Sequence, residues 1–238
     1  MSKSKINIKE LLSTDVHFGH SSRKWCAHMS PYIYMKKNGI YIIDLYKTIE
    51  KLQEACKAIQ DIVYSGKKIL FVATKKQAKD IVSEVSRKHN MPYITERWLG
   101  GLLTNFITIR KTVKKLNLID KKKKSGAYES LSKKELLMIN RSQKKLEKYI
   151  GSISGMTRLP FAIFIIDISR EKIALKEAKK LNITTFAMVD TDSNPKLVDY
   201  FIPSNDDSSK SISIILKYIS EAIALGISSR QKERENNV

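Results

Sequence analysis

Two histidines and five aspartates are the side chains best suited to chemistry. His17 and His20 bracket Phe18-Gly19, while Asp167, Asp190 and Asp192 follow apolar runs and Asp206-Asp207 precede the last helical segment. Imidazole nitrogens and carboxylate oxygens are ligands for a divalent cation. His17, His20, Asp190, Asp192, Asp206 and Asp207 are therefore the candidate metal ligands, for a structural ion rather than a catalytic one. The competing reading makes Asp190 and Asp207 turn and helix-cap residues, and Gly19 between the histidines argues for a turn. Cys26 and Cys56 stand thirty residues apart with no second pair, which excludes a disulfide framework and a four-cysteine zinc site. Cys56 falls on the apolar stripe of a helix and reads as core. No Ser/His/Asp or Cys/His arrangement with a recognisable elbow occurs.

Nucleotide chemistry would need a glycine-rich turn where a strand meets a helix, so that backbone can approach a phosphate. After the apolar strand 69–73 the chain instead reads Thr74-Lys75-Lys76-Gln77, and the paired glycines Gly100-Gly101 stand further on, where they allow a sharp bend. No required cofactor and no small-molecule substrate is expected. The rival kept open is an RNA-modifying or nucleotide-binding α/β enzyme, whose site would lie at the carboxyl ends of the strands.

Positive charge is the stronger signal. The 238 residues carry 44 Lys and Arg against 24 Asp and Glu, a formal +20. Half of this excess lies in residues 105–151, where fourteen Lys and Arg meet four acids. A chain so basic is suited to a polyanion, because neutralising phosphates releases condensed counterions. A membrane surface is not expected, since no apolar run approaches the roughly 18 residues needed to span. The opening Met1-Ser2-Lys3-Ser4-Lys5 leads into no apolar signal core. The candidate RNA contacts on the basic stretch are Arg110, Lys111, Lys114, Lys115, Lys121, Lys122, Lys123, Lys124, Arg141, Lys144 and Lys145. Elsewhere they are Arg23, Lys24, Trp25, Lys36, Lys37, Lys75, Lys76 and Arg97, where Arg23-Lys24-Trp25 sets two phosphate binders beside a flat ring. The competing readings are a solvated helical face and a Trp covering the edge of the core, and an arm of this type can also dock on protein.

The elements that must carry these residues follow from periodicity. Phe106, Ile109, Val113 and Leu116 recur at helical spacing, as do Leu136, Ile139, Leu146, Ile150 and Ile153, with Gln143 at the missing step. Two antiparallel arms of a coiled coil are predicted, reversed near Lys121-Lys122-Lys123-Lys124-Ser125-Gly126-Ala127-Tyr128, with Ser132 and Glu135 at capping-box spacing. Asn38-Gly39 between apolar runs predicts a β-hairpin. The apolar runs 69–73, 161–167 and 184–190, alternating with helical patterns, predict parallel strands buried on both faces. The fold class is α/β, a doubly wound, mostly parallel sheet with an inserted helical hairpin. The expected division is a discontinuous α/β domain at 1–104 and 152–226, the hairpin at 105–151, and a disordered polar tail at 227–238 beyond a helix stop at Gly226.

Several motifs in order resemble the bacterial-type small-subunit ribosomal protein two family, the universal S-two family. They are His17-Phe18-Gly19-His20, the run Arg97 to Asn105, Leu159-Pro160, the spaced Ile165, Asp167, Glu171 and Glu177, then Val189-Asp190-Thr191-Asp192 and Ile202-Pro203-Ser204-Asn205-Asp206-Asp207. The resemblance covers residues 6 to about 227. Departures are local: Cys26-Ala27 after Trp25 where the family tends to Asn-Pro, Thr184 for Pro or Ala, and Ser204 for Gly or Ala. The resemblance implies a non-enzymatic ribosomal constituent with a protruding coiled coil, bound to 16S rRNA at the head–body junction of the small subunit. It implies neighbouring small-subunit proteins as partners, among them the large messenger-binding protein that this one helps to seat for initiation. The location implied is a bacterial cytoplasmic ribosome or an organellar one.

Overall fold

Apolar residues alternate sides along each buried strand, so a strand apolar throughout needs a layer on both faces. The computed structural model describes residues 6–236 apart from 127, 129 and 130, and in it this requirement is met. The Met1 to Lys5 start and Ala127 of the hairpin loop lie outside the described residues. Strands β4 (Ile69–Val72), β5 (Tyr93–Ile94), β6 (Ala162–Ile166), β7 (Thr184–Val189) and β8 (Tyr200–Pro203) form a parallel sheet in the order β5-β4-β6-β7-β8. Ile69, Phe71, Phe164, Phe186 and Met188 face one way, into a core with α2 (Leu45–Tyr64), α3 (Lys76–Lys88) and α7 (Ser209–Asn236). Leu70, Val72, Ile163, Ile165, Ala187 and Val189 face the other way, against α6 (Lys172–Lys180) and the residues around Trp98.

A short helix, α1 (Ile8–Ser13), leads into a second sheet, of three antiparallel strands in the order β1-β3-β2: β1 (Phe18–Ser21), β3 (Ile40–Ile43) and β2 (Ile33–Lys37). Asn38 and Gly39 both have positive φ, 50° and 79°, the conformation of the predicted hairpin turn. The expected turn at Gly19 is instead part of β1. A side chain there would strike Thr191, and Thr191 Oγ1 accepts from the His20 amide at 2.8 Å. Glycine is needed at this position for close approach, not for reversal.

The hairpin consists of α4 (Phe106–Lys124) and α5 (Lys133–Ile150). Val113, Leu116 and Ile119 are buried along α4, and the Gln143 amide donates to Asp120 across the pair at 2.6 Å. Ser132 and Glu135 form both halves of the capping box. A polar pair thus takes the seam position where an aliphatic step is missing.

In place of the predicted stop, α7 continues through Asn236, ten residues past Gly226, so residues 227–236 of the expected disordered tail are helical, while 237 and 238 lie outside the described residues. Gly226 is a packing residue, since a Cβ there would lie 2.8 Å from the Gln60 carbonyl oxygen of α2 and 3.1 Å from Val63 Cβ. The helix crosses closely at that point and carries on, held further along by Tyr64 donating to Glu233. Contrary to the sequence expectation, α7 is also, among the described residues, long and apolar enough to cross a membrane. Its apolar side chains Ile212, Ile215, Leu216, Ile219 and Ile223 are fully buried against the sheet layer, as in the central helix of a core.

Candidate functional site

All strands of the larger sheet run parallel, so the residues after their carboxyl ends gather on one edge. The order places β5 on one side of β4 and β6 on the other, which makes the crevice between β4 and β6 the switch point where ligands of such sheets bind. Here the chain fills the crevice with its own side chains. Lys75, at the N-cap of α3, is 8% exposed and reaches Asp206 at 2.7 Å, Asp207 at 2.7 Å and Asp167 at 3.3 Å. Burial alone would pull its ammonium down, but the three aspartates outweigh this and hold it above its usual range. Beside it, buried Glu171 accepts from the Thr74 amide at 3.1 Å and from the Thr74 hydroxyl. Burial pushes the Glu171 carboxyl up despite those bonds. Lys75 therefore cannot be the RNA contact that the Lys75-Lys76 dipeptide suggests. Lys76, one residue on, is exposed.

Strand β1 closes the cluster from above. Its His20 donates from Nδ1 to Asp190 at 2.9 Å, and its Nε2 lies 3.4 Å from Asp207. The hydrogen bond to Asp190 raises His20 to about 9, against the opposing effect of burial. Asp206 is pushed up to about 7, first by burial and then by Asp190 and Asp167. Asp207 lies below the usual range: burial opposes this, and Lys75 and His20 overcome it. Of the six candidate metal ligands, His20, Asp190 and Asp207 are brought together, with ligand atoms within 4.8 Å of one another. Asp206 faces Lys75, and Asp192 accepts from Ser193. His17 does not join them: its ring packs on Phe18, its Nδ1 is buried without a partner, and burial lowers its pKa. His17 lies in the turn before β1, whereas His20 lies within the strand, which separates the two imidazoles.

The loop before the hairpin is organised by a residue to which sequence reasoning assigned no role. Buried Glu177 of α6 accepts from the Trp98 indole N–H at 3.0 Å and from the amides of Gly101, Leu103 and Thr104 at 2.8, 2.9 and 3.1 Å. The Thr104 hydroxyl adds a fifth donor at 3.2 Å. Burial alone would raise this carboxyl, but Trp98 and the three amides bring it below the ordinary value. Gly101, at φ 83°, makes the bend that turns successive N–H groups inward. An acid among the apolar positions Ala174, Leu175 and Ala178 of a helix was the available signal.

The other candidate contacts sort by exposure. Arg23, Lys24 and Trp25 are exposed, with the indole ring 5.1 Å from that of Tyr41. Lys36, Lys37 and Arg97 are exposed as well. On the hairpin, Lys111, Lys114, Lys115, Lys121, Lys122, Lys123, Lys124, Arg141, Lys144 and Lys145 are exposed, and among the described residues none pairs with a carboxylate. Lys123 does reach Asn140 and Gln143. Arg110 departs from the group, being half-buried and donating to the Met156 carbonyl at 2.9 Å. It ties the root of the hairpin to the returning chain.

Comparison with known proteins matches residues 11–226 to a family described as Ribosomal protein S2. Relatives named small ribosomal subunit protein uS2 include one from Christiangramia forsetii, 61% identical over 96% of this chain and 77% of its own length. One from Flavobacterium johnsoniae is 60% identical over 97% and 91%, and one from Karelsulcia muelleri is 57% identical over 91% and 98%.

Proposed function

The chain belongs to the ribosomal protein S2 family, and on that premise we propose that its basic hairpin and body loops bind 16S rRNA. It is a structural constituent of the small ribosomal subunit in a bacterial-type ribosome, and not an enzyme. The proposed seat is the head–body junction, where the body would touch neighbouring proteins and help to hold the large messenger-binding protein for initiation. The observation that carries the RNA reading is the row of exposed hairpin cations with no carboxylate partner among the described residues. A cationic face that exists only for solubility mixes both signs, whereas this one leaves its charge for an outside polyanion. Changing Lys121, Lys122, Lys123 and Lys124 to Glu is expected to weaken binding to 16S rRNA by more than tenfold at moderate salt. The slope of log affinity against log salt should also become shallower by roughly one unit per lost phosphate contact. An unchanged slope sinks the hairpin as the contact.

A divalent cation at His20, Asp190 and Asp207 is the finer reading of the acidic edge. Its support is the gathered ligand atoms and an excess of acid: among the described residues Asp167, Asp190, Asp206 and Asp207 form ion pairs with Lys75 and His20 alone. An ion there would displace the His20 proton and compete with Lys75 for Asp207. Zinc should therefore raise the unfolding temperature more at pH 8 than at pH 6, and equal or absent effects at both pH values rule the site out.

A further inference from the structure

At the other end of the same sheet, where β4 begins, lies a cavity of about 230 Å³ that no candidate contact above touches. Lys67 and Lys68 enter it from the turn after α2, and Arg230 and Arg234 from the extension of α7, with Met91 and Ile227 at its apolar wall. No Asp or Glu lines it. We propose that this cavity is a second RNA contact, holding a backbone phosphate through Lys67, Lys68, Arg230 and Arg234.

Three observations converge. The first is charge without a partner: among the described residues none of the four cations forms an ion pair with a carboxylate. The bland account is that cations complement helix carboxyl ends, and α2 and α3 do end here, at Tyr64 and Lys88. Each helix end offers only about −0.5 charge, so two offset roughly one of four positive charges. The remainder is available to an anion. The second is preorganisation. Gly66 has φ 74°, and a side chain there would overlap the Arg230 guanidinium, so the guanidinium lies flat against bare backbone. Lys68 is steered by donating to the Asn90 carbonyl at 3.2 Å, and Lys67 stands 3.6 Å above the Phe161 ring centroid. The third is how the arginines arrive. The family match ends at residue 226, and both arginines lie past it, brought here because Gly226 lets α7 cross α2 closely and continue.

The partner's chemistry follows from the lining. The volume equals that of about eight waters at 30 Å³ each, ample room for a phosphate group of the RNA backbone. No Phe, Tyr or Trp lines the cavity, and its one ring, His89, is held by Ser220 at 2.6 Å, so the contact is to backbone and carries no sequence preference. This inference rests on the chain's being an RNA binder, so the test separates the two. The salt dependence of 16S rRNA binding is measured for the full chain, for the hairpin Lys121–124 to Glu variant, for Arg230→Gln with Arg234→Gln, and for Arg230→Lys with Arg234→Lys. The Gln pair is expected to lose roughly one to two units of slope while the Lys pair keeps it, with both retaining the parent's unfolding temperature within a few degrees. In parallel, inorganic phosphate added to the isotope-labelled full chain should shift the Arg230 Nε resonance saturably. If the parent and hairpin variant show RNA binding through the hairpin but the Gln pair keeps the parent slope, the cavity is not a contact, although the RNA reading stands. An acidic protein partner would give that same unchanged slope, and a parent that does not bind RNA overturns both.

Discussion

Glu177 offers the sharpest test of how the loop before the hairpin is held. Its Oε1 accepts from Trp98 and Gly101, and its Oε2 from the Leu103 and Thr104 amides and the Thr104 hydroxyl. In Glu177→Gln one oxygen remains and the other becomes an NH₂ that faces donors. Whichever way the amide turns, at least two N–H groups lose their acceptor, and in each orientation one of these, from Trp98 or Leu103, is buried. Hydrogen bonds to a charged group are worth about 1.5–3 kcal/mol each, so the loss is about 4 kcal/mol. For a domain of this size that lowers the unfolding temperature by roughly 8–16 °C. Because the folded-state carboxyl lies below its ordinary value of 4.5, its stabilisation is present above that pH and is lost as pH falls through the folded value. The variant should therefore also lose part of the parent's acid sensitivity. Thermal unfolding by circular dichroism at pH 7 and pH 4, with hydrogen exchange at the Gly101 and Leu103 amides, makes both measurements. A variant within about 1 kcal/mol of the parent, with those amides still protected, refutes the carboxylate as the organiser of the loop.

Raising pH should loosen the metal-free acidic edge. His20, held at about 9 in the fold against an ordinary 6.5, stabilises fully below pH 6.5 and ceases to do so as pH rises through 9. After screening this is about 1–2 kcal/mol, and His20→Gln should flatten the stability profile between pH 6.5 and 9 in denaturant titrations. A profile with the parent's slope in that window would show that His20 is not the titrating group. Gly226→Ala should cost about 1–3 kcal/mol in chemical denaturation, because the methyl meets Gln60 and Val63 where α7 crosses α2. A neutral substitution would mean the helices move apart freely at that point.

Periodicity made the layers legible: unbroken apolar runs became buried strands, and three-four spacing became α2, α7 and the two hairpin arms. Asn38-Gly39 and the Ser132 to Glu135 spacing were readable because their signals are local. The errors share one cause, which is that a residue's role depended on something distant in sequence. Gly19 and Gly226 look like turn and stop signals, yet each is there because another segment, at Thr191 or at Gln60 and Val63, comes too close for a side chain. The tail beyond Gly226 has a polar composition, but Tyr64 and Gly66 give it a surface to lie on. Of the candidate metal ligands, the pairing of His20 with Asp190 and Asp207 is within reach of topology, whereas the exclusion of His17 depends on where β1 starts and on the packing of its ring on Phe18.

Lys75 and Lys76 show why the acids matter to a cationic protein. The two are neighbours, yet Lys75 turns inward to three aspartates from the ends of β6 and β8, and Lys76 begins the exposed face of α3. The inward residue closes the crevice where an α/β enzyme would hold its ligand, so stability at the switch point and catalysis there exclude one another. Asp190, Asp206, Glu171 and Glu177 are all buried, and Asp190, Glu171 and Glu177 are satisfied by N–H and O–H groups or by His20. Acids enclosed in this way project less field into solvent than exposed ones do, because interior partners answer them at short range. Among the described residues the candidate RNA contacts on the hairpin have no carboxylate partner, so positive charge dominates its surface. The fold thus draws Glu171, Glu177, Asp190 and Asp206 into the interior around the sheet and leaves the cations of the hairpin at the surface. Substituting the buried acids should affect stability first, and substituting the exposed lysines should affect RNA affinity first.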